Sequence, residues 1–164
     1  MDYLVRTAKA EDLPRIEEIY AYARTFMVKT GNPNQWGKTN PPHEWLVDDI
    51  KRGLLYVITA GQEIHGVFYF YIGEDPTYGS IEDGCWKYHP PYGTIHRIAS
   101  DGSGGILKTA VSFCANMIDH IRIDTHHDNI VMQKAVAKLG FERSGIIRLA
   151  NGDPRIAYEL KVKK

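Results

Sequence analysis

The sequence has few cysteines and no surplus of either charge, and both absences narrow the kinds of protein it can be. Only Cys85 and Cys114 occur among the 164 residues, far apart and without the spacing of metal ligands. A chain of this size with two cysteines is typical of a reduced, intracellular protein without a disulfide scaffold. Lysine plus arginine (20) equals aspartate plus glutamate (20), so no global field attracts nucleic acid or an anionic membrane. We therefore expect a small partner molecule.

Long apolar runs are also absent. The first residues carry neither a basic lead nor a long apolar segment, and no run of about 18 apolar residues occurs elsewhere. These features predict a cytoplasmic protein. Because single hydrophobic cores typically organise about 100–200 residues, the length predicts one domain over residues 1–164.

Hydrophobic periodicity and turn residues predict an alternation of strands and helices. The predicted strands are residues 4–6, 54–59, 64–72, 94–100 and 121–124, with two more after residue 140. The predicted helices start at residue 10 and span residues 43–52, 105–118 and 129–139. This order mixes hairpins with crossovers, so it predicts an α+β fold around a mixed, mostly antiparallel sheet. Residues 30–42 and 73–92 are rich in turn formers and are predicted to be site-forming loops.

Residues 94–106 combine a predicted strand, a glycine-rich turn and the start of a helix. Gly102, Gly104 and Gly105 let the backbone approach a ligand with no Cβ in the way, and free N–H groups at the helix start can hold a phosphate. An ordinary flexible turn is the alternative interpretation. The Gly-Lys-Ser/Thr of a P-loop is missing, and a dinucleotide fold places its turn after the first strand. We therefore predict a phosphate-bearing cofactor of another class.

A second group of residues follows this turn at a recognisable spacing. Asn129 opens a predicted helix that ends in Lys138-Leu139-Gly140-Phe141. Together with the strand and the glycine turn, this arrangement resembles the GNAT superfamily of N-acetyltransferases. The resemblance covers nearly the whole chain in element order, and residues 98–142 carry it in sequence. It implies a GNAT-like mixed sheet of about seven strands flanked by about four helices, with acetyl-CoA as the cosubstrate.

The resemblance also implies which residues hold acetyl-CoA. In the family, Asn129 would hydrogen-bond the pantetheine arm, and the turn and helix start would hold the pyrophosphate. The predicted set is Ile98, Ser100, Gly102, Ser103, Gly104, Gly105, Ile106 and Asn129. The family's glycine motif begins with Arg or Gln, which this chain lacks, so individual phosphate-binding amides are not assigned. Many relatives protonate the departing thiolate with a tyrosine, and that position is Val136 here.

Acetyl transfer to an amine needs a base, because most amines arrive as ammonium ions. His96 is the candidate, since it lies in the strand that should run beside the thioester, and arylalkylamine acetyltransferases resemble this chain in placing a histidine near this point. The alternative is a strand residue with a hydrogen-bonded ring and no catalytic role. Water, Tyr88 or Tyr92 could supply the proton that the absent tyrosine would give. Strand alternation puts Arg97 on the opposite face from His96, so we expect it to form a structural ion pair.

Two further features leave alternatives open. His126 and His127 have acidic neighbours but no HExxH or paired CxxC spacing, so no metal is predicted, and Asp128 is expected to cap the helix that Asn129 begins. The acceptor pocket is expected to draw on aromatic and acidic loop residues. These are Trp36, Trp45, Tyr78, Trp86, Tyr88 and Tyr92, with Glu44, Asp48, Glu74, Asp75, Glu82 and Asp83. Alternatively, the aromatic residues simply hold the two loops on the sheet.

The sequence thus predicts an N-acetyltransferase that moves an acetyl group from acetyl-CoA directly to an amine. No covalent acetyl-enzyme is expected, because no activated nucleophile is evident. The expected acceptor is a small molecule, with a protein or peptide amine as the alternative. A non-catalytic acyl-CoA-binding module is a further alternative, motivated by Val136 and the irregular glycine motif. Neither nucleic acid nor a membrane is expected as a partner, and a homodimer is left open.

Overall fold

The structure is a computed structural model that describes residues 2–162. Its strands are β1 (Leu4–Thr7), β2 (Leu55–Ala60), β3 (Glu63–Ile72), β4 (Gly93–Ser100), β5 (His120–Thr125), β6 (Glu142–Arg148) and β7 (Pro154–Lys161). Its α-helices are α1 (Leu13–Lys29), α2 (His43–Lys51), α3 (Ile106–Ala115) and α4 (Ile130–Lys138), and short 3-10 helices lie at Ala10–Asp12 and Pro76–Tyr78. The predicted α+β class and element order are confirmed, and only the ends of individual elements differ.

The described strands form one mixed sheet in the order β1-β2-β3-β4-β5-β7-β6. β4 and β5 are parallel, while the other neighbouring strands are antiparallel. β4 and β5 pair only where Gly93 faces Ile121 and Thr94 faces Arg122, near the start of each strand. Beyond that point the two strands are not hydrogen-bonded to each other, so the sheet opens in its middle at the carboxyl ends of both strands.

Helices cover both faces of the sheet. Val57 and Ile58 are neighbours on β2 yet belong to different buried clusters, because successive strand residues point to opposite faces. One cluster includes residues of α1 and α2, and the other includes residues of α3 and α4. Each fully buried aliphatic side chain contributes about 1.5–3 kcal/mol to stability. Within residues 2–162, no helix is both long and apolar enough to cross a membrane.

Arg122 and Glu159 are two of the residues that attach the loop of residues 73–92 to the sheet. The Arg122 guanidinium lies between the rings of Trp86 (3.8 Å to the centroid) and Tyr92 (3.9 Å). Glu159 accepts hydrogen bonds from the backbone N–H of Lys87 (2.7 Å) and from Ser144 Oγ (2.6 Å) and contacts His120 Nε2 (2.9 Å). Trp86 and Tyr92 therefore help to hold the loop on the sheet.

Candidate functional site

β4 carries a β-bulge beside the opening in the sheet. Arg97 and Ile98 together face the single residue Phe68 of β3, so regular pairing is interrupted there. Arg97 has a left-handed φ of 52°, which is uncommon for a residue other than glycine. The Tyr20 hydroxyl donates to the Arg97 carbonyl (2.7 Å), and the guanidinium pairs with Asp49 (2.5 Å). The structural ion pair predicted for Arg97 is therefore present.

Two cavities lie along the opening between β4 and β5. The first, of about 540 Å³, is lined by His96, Asp75 and Asp124 and is called the histidine cavity here. The second, of about 350 Å³, is lined by Gly102 and Ser103 and is called the turn cavity. The residues that line both are Met27, Ile98, Asn129 and Met132. A ligand in one cavity could therefore reach a ligand in the other.

The turn cavity has mainly apolar walls from three helices. They include Tyr22 and Phe26 of α1, Leu107 of α3, and Val131 and Ala135 of α4. Of the predicted cofactor residues, those that line it are Ile98, Ser100, Gly102, Ser103, Ile106 and Asn129. Gly104 and Gly105 belong to the same turn without lining this cavity. An apolar trough of this kind suits a flexible chain with few charges.

Two backbone N–H groups of the glycine turn already form hydrogen bonds, whereas those at the start of α3 have no partner within the helix. The N–H of Gly102 donates to Ser100 Oγ (3.0 Å), and the N–H of Ser103 donates to Asp101 Oδ1 (3.0 Å). The first backbone bond inside α3 runs from the Thr109 N–H to the Gly105 carbonyl (3.0 Å). The three preceding amides, of residues 106–108, therefore have no partner within the helix. These amides can bind an anion.

Asp101 places a carboxylate in this turn, where the side chains of Arg15 and His65 contact it. Arg15 approaches it at 2.9 Å and His65 Nδ1 at 2.8 Å. Burial raises the pKa of Asp101, but hydrogen bonds from Ser103 and His65 outweigh burial, so the net shift is downward. The carboxylate is ionised at neutral pH, and its engagement with Arg15 and His65 reduces its repulsion of a bound phosphate.

His96 is held by a buried carboxylate from the loop of residues 73–92. Its Nε2 lies 2.8 Å from Asp75 Oδ2, and Asp75 Oδ1 accepts the Thr77 N–H (2.9 Å) and hydroxyl (2.6 Å). Burial raises the pKa of Asp75, but these hydrogen bonds have the larger, opposite effect, so the pKa falls to about 2. An ionised carboxylate can only accept hydrogen bonds. His96 Nε2 must therefore donate, which leaves Nδ1 of the neutral ring with a free lone pair.

A second carboxylate faces this free nitrogen. His96 Nδ1 lies 3.8 Å from Asp124 Oδ2, which also accepts the Tyr78 hydroxyl (2.6 Å). Burial and the charge of Asp124 raise the pKa of Tyr78 well above its ordinary value, so Tyr78 remains a donor. The arrangement offers a proton acceptor beside a negative charge. It suits a cation that gives up a proton, such as an ammonium group.

The structure does not bring Tyr88 to His96. The Tyr88 hydroxyl contacts Glu142 (3.2 Å), and the residue lines a separate cavity beside Trp86 and Arg122. Val136, at the position of the family's tyrosine, is fully buried in the core. Neither residue is placed where it could protonate a group at the junction of the histidine and turn cavities.

Asn129 caps the N-terminus of α4, a role that was predicted for Asp128. The expected cap, Asp128, is wrong: Asn129 is the N-cap of α4, and its Oδ1 accepts the Met132 N–H (3.0 Å). The reason is that Asn129 has a non-helical backbone, which lets its amide oxygen reach the third helical N–H. Its Nδ2 donates to Gln35 Oε1 (3.0 Å), which ties the loop of residues 30–42 to the junction of the cavities.

Only part of the predicted acceptor set lines the histidine cavity. Its members there are Trp36, Trp45 and Asp75, while Trp86 and Tyr92 pack on Arg122. Asp124 and Arg155 also line this cavity, although neither was predicted to belong to the acceptor site. The position of Asp124 at the end of a strand parallel to β4 was the available signal. Arg155 gave no local signal.

His126, His127 and Asp128 come together in the loop between β5 and α4. Each offers one ligand atom, and these atoms lie within 4.8 Å of one another. However, His126 Nδ1 accepts the backbone N–H of Asp128 (3.0 Å), so this nitrogen is already engaged within the loop. The structure gives this group an evident role in shaping the loop.

Comparisons with known proteins bear on this architecture. No protein-family model matches the chain, and no curated protein matches it. A GNAT-family acetyltransferase of known structure from Streptococcus agalactiae is 27% identical, with a TM-score of 0.89 over 99% of this chain and 96% of that chain. A ribosomal-protein-alanine N-acetyltransferase from Brucella melitensis is 17% identical, with a TM-score of 0.62 over 97% and 99%. A Salmonella typhimurium protein solved with its cofactor acetyl-CoA is 14% identical, with a TM-score of 0.62 over 99% and 95%.

The two more distant likenesses concern the fold alone, whereas the streptococcal one joins fold to sequence over nearly the full length of both chains. The structural features that bear on the family are the seven-stranded mixed sheet, the parting of β4 from β5, and the glycine turn before α3. Together with the streptococcal likeness, these features support a GNAT-superfamily acetyltransferase.

Proposed function

We propose that this protein is an N-acetyltransferase that moves an acetyl group from acetyl-CoA directly to the amine of a small molecule. The observation that carries the proposal is the junction of the two cavities at Ile98. On one side lies an apolar trough that leads to free helix amides, and on the other lies His96 between two carboxylates. The histidine cavity, about 540 Å³, has the size of a small-molecule site.

The turn cavity has the properties that acetyl-CoA requires. Its apolar walls suit the pantetheine arm, and the amides of residues 106–108 suit the pyrophosphate. A Salmonella typhimurium protein of the same fold was solved with acetyl-CoA, which supports the choice of acetyl donor. In this arrangement the thioester would lie beside Ile98, where a backbone N–H of the bulged strand could polarise the carbonyl.

His96 would act as the base. Asp124 attracts the ammonium group of the acceptor, and His96 Nδ1 takes one of its protons while Asp75 stabilises the charged ring. The neutral amine nitrogen then forms a bond to the acetyl carbon as the carbon–sulfur bond breaks, and the nitrogen releases its second proton to water to become the amide. The thiol of cysteine has an ordinary pKa of about 8.5, and the departing CoA thiolate is likewise only modestly basic and can take its proton from water.

Direct transfer agrees with the state of the cysteines. Cys114 is fully buried in the core, and burial raises the pKa of its thiol, so the reactive thiolate is disfavoured. Cys85 is exposed in the loop of residues 73–92 and does not line the histidine cavity or the turn cavity. Neither is suited to carry an acetyl group between the two cavities.

The test is the release of free thiol from acetyl-CoA in the presence of a panel of small amines and peptides. The expected result is turnover with a small amine, and a loss of about 10²–10⁴-fold in kcat/KM for His96→Ala. His43→Gln is the matched control, because His43 pairs with Glu17 on the surface and should leave activity unchanged. Binding of acetyl-CoA without thiol release from any amine would instead favour an acyl-CoA-binding module. Full activity of His96→Ala would remove the base assignment.

A further inference from the structure

The histidine cavity contains a buried cation that the acetyl-transfer chemistry does not use. Arg155, at the start of β7, lines this cavity and is 6% exposed. Its guanidinium donates to the carbonyls of Pro154 (2.9 Å) and Gln35 (3.4 Å), which are neutral acceptors. Among residues 2–162, no carboxylate forms an ion pair with it.

This isolation is unusual for a buried charge. Removing a guanidinium from water costs free energy unless an anion or several strong acceptors replace the water. Burial lowers the pKa of Arg155, and the more distant charges of Asp124 and Asp153 only partly offset that effect. Arg97 offers a contrast in the same cavity, because its charge is already matched by Asp49. Arg155 therefore has capacity left for an anion that enters the cavity.

The position of Arg155 relative to the amine-binding end follows from strand register. Asp124 faces Ala157 across β5 and β7, and Arg155 precedes Ala157 by two residues, so Arg155 and Asp124 share one face of the sheet. Diagonal neighbours of this kind are about 7–8 Å apart, within reach of a long side chain. A negative and a positive group thus face the same cavity from neighbouring strands, as the amine and the carboxylate of a small zwitterion require.

We propose that the acceptor is an α-amino acid, whose amine faces Asp124 and His96 while its carboxylate binds Arg155. This inference rests on the proposed function for the fate of the amine, but the binding of the carboxylate can be measured without turnover. A planar guanidinium can bind a carboxylate through two parallel hydrogen bonds. Amines that lack the carboxylate would leave the Arg155 charge buried without an anion.

The test is calorimetric measurement of dissociation constants, in the presence of CoA, for the twenty common α-amino acids and for the amine that each gives on removal of its carboxylate. We expect at least one amino acid to bind at least tenfold more tightly than its amine. Arg155→Gln should abolish that preference and Arg155→Lys should keep part of it. Arg148→Gln should leave it unchanged, because Arg148 is exposed and pairs with Glu82.

The comparison of amino acids with amines needs only the wild-type protein, so it decides the proposal even if Arg155→Gln does not fold. The proposal is overturned if no amino acid binds more tightly than its amine, or if folded Arg155→Gln keeps the preference. Thiol release separates this result from the proposed function. If amines turn over as fast as amino acids, acetyl transfer is supported and an α-amino acid acceptor is excluded. If binding depends on Arg155 but no thiol is released, α-amino acid binding is supported and acetyl transfer is excluded.

Discussion

At the residue scale, one hydrogen bond determines which nitrogen of His96 can accept a proton. Because Asp75 is ionised, it forces His96 Nε2 to be the donor and leaves Nδ1 facing Asp124. Asp75→Asn would let the side-chain amide donate to Nε2 instead and favour the opposite tautomer. We expect kcat/KM to fall by about 10²-fold or more, while the dissociation constant of acetyl-CoA stays within about twofold.

The measurement for Asp75→Asn is steady-state thiol release, with acetyl-CoA affinity determined by calorimetry. Asp48→Asn is the control, because Asp48 is exposed on α2 and only approaches Arg52 at 3.8 Å. Activity of Asp75→Asn within about threefold of wild type would mean that the tautomer of His96 does not control the reaction.

Glu159 makes a separate prediction, about the dependence of stability on pH. Burial raises the pKa of Glu159, but its contacts with His120, Ser144 and the Lys87 backbone have the larger, opposite effect. The pKa therefore falls from its ordinary value of 4.5 to about 2. A group whose pKa is lower in the folded state stabilises the fold above its unfolded pKa. This contribution is therefore present above about pH 4.5 and is lost as pH falls towards 2.

Thermal unfolding of wild type and Glu159→Gln between pH 7 and pH 3 checks this prediction. The variant should be less stable at pH 7, because glutamine brings an amide donor to a position where the surroundings also donate. Its stability should then fall less steeply with acid than that of the wild type. Glu18→Gln, on the exposed side of α1, should follow the wild-type curve. If the stabilities of wild type and Glu159→Gln fall in parallel with pH, Glu159 is not the source of this pH dependence.

At the scale of elements, the loop of residues 73–92, which carries Asp75, approaches β6 closely at Glu82. Glu82 and Ile146 exchange two backbone hydrogen bonds (2.8 and 2.7 Å). A Cβ added at Gly145 would lie 2.5 Å from the Glu82 carbonyl oxygen, so this bridge must open to admit it. We expect Gly145→Ala to lower the free energy of unfolding by about 1–3 kcal/mol.

Denaturant unfolding measures this change, and activity measures its effect on the site. Gly79→Ala is the control in the same loop, because the nearest atom to its added Cβ is at 3.4 Å. If Gly145→Ala unfolds at the wild-type denaturant concentration, the bridge does not hold the loop. If its stability falls but acetyl transfer is unchanged, the bridge stabilises the loop without positioning Asp75.

Periodicity was sufficient to predict the elements because each one buries a continuous apolar face. Val57 and Ile58 alternate between the two faces of the sheet, and α1 buries Ile16, Ile19 and Tyr20 on one side. The parting of β4 from β5 was not predictable, since it depends on how far two distant segments stay in register. The cap of α4 was misassigned because Asp128 and Asn129 are both good caps, and only the backbone angles of the folded chain choose between them.

At the scale of the whole molecule, the net charge is zero, but charged residues cluster at two sites. These two sites meet at the opening in the sheet. Arg15 and His65 lie beside the glycine turn, where phosphates are expected. Asp75 and Asp124 lie beside His96, where the amine of the acceptor is expected. The turn and His96 were predictable because each lies on one continuous segment. Asp75, Asp124 and Arg155 were not, because they come from three segments that only the strand order β4-β5-β7 brings together.

A crystal structure of this protein with acetyl-CoA bound would test the proposed acetyl transfer most directly. The thioester is predicted to lie between β4 and β5 beside Ile98, with the pyrophosphate on the backbone amides of residues 106–108. The acetyl group should point into the cavity that contains His96 Nδ1. Acetyl-CoA bound outside this opening, or with its thioester turned away from the histidine cavity, would contradict the account.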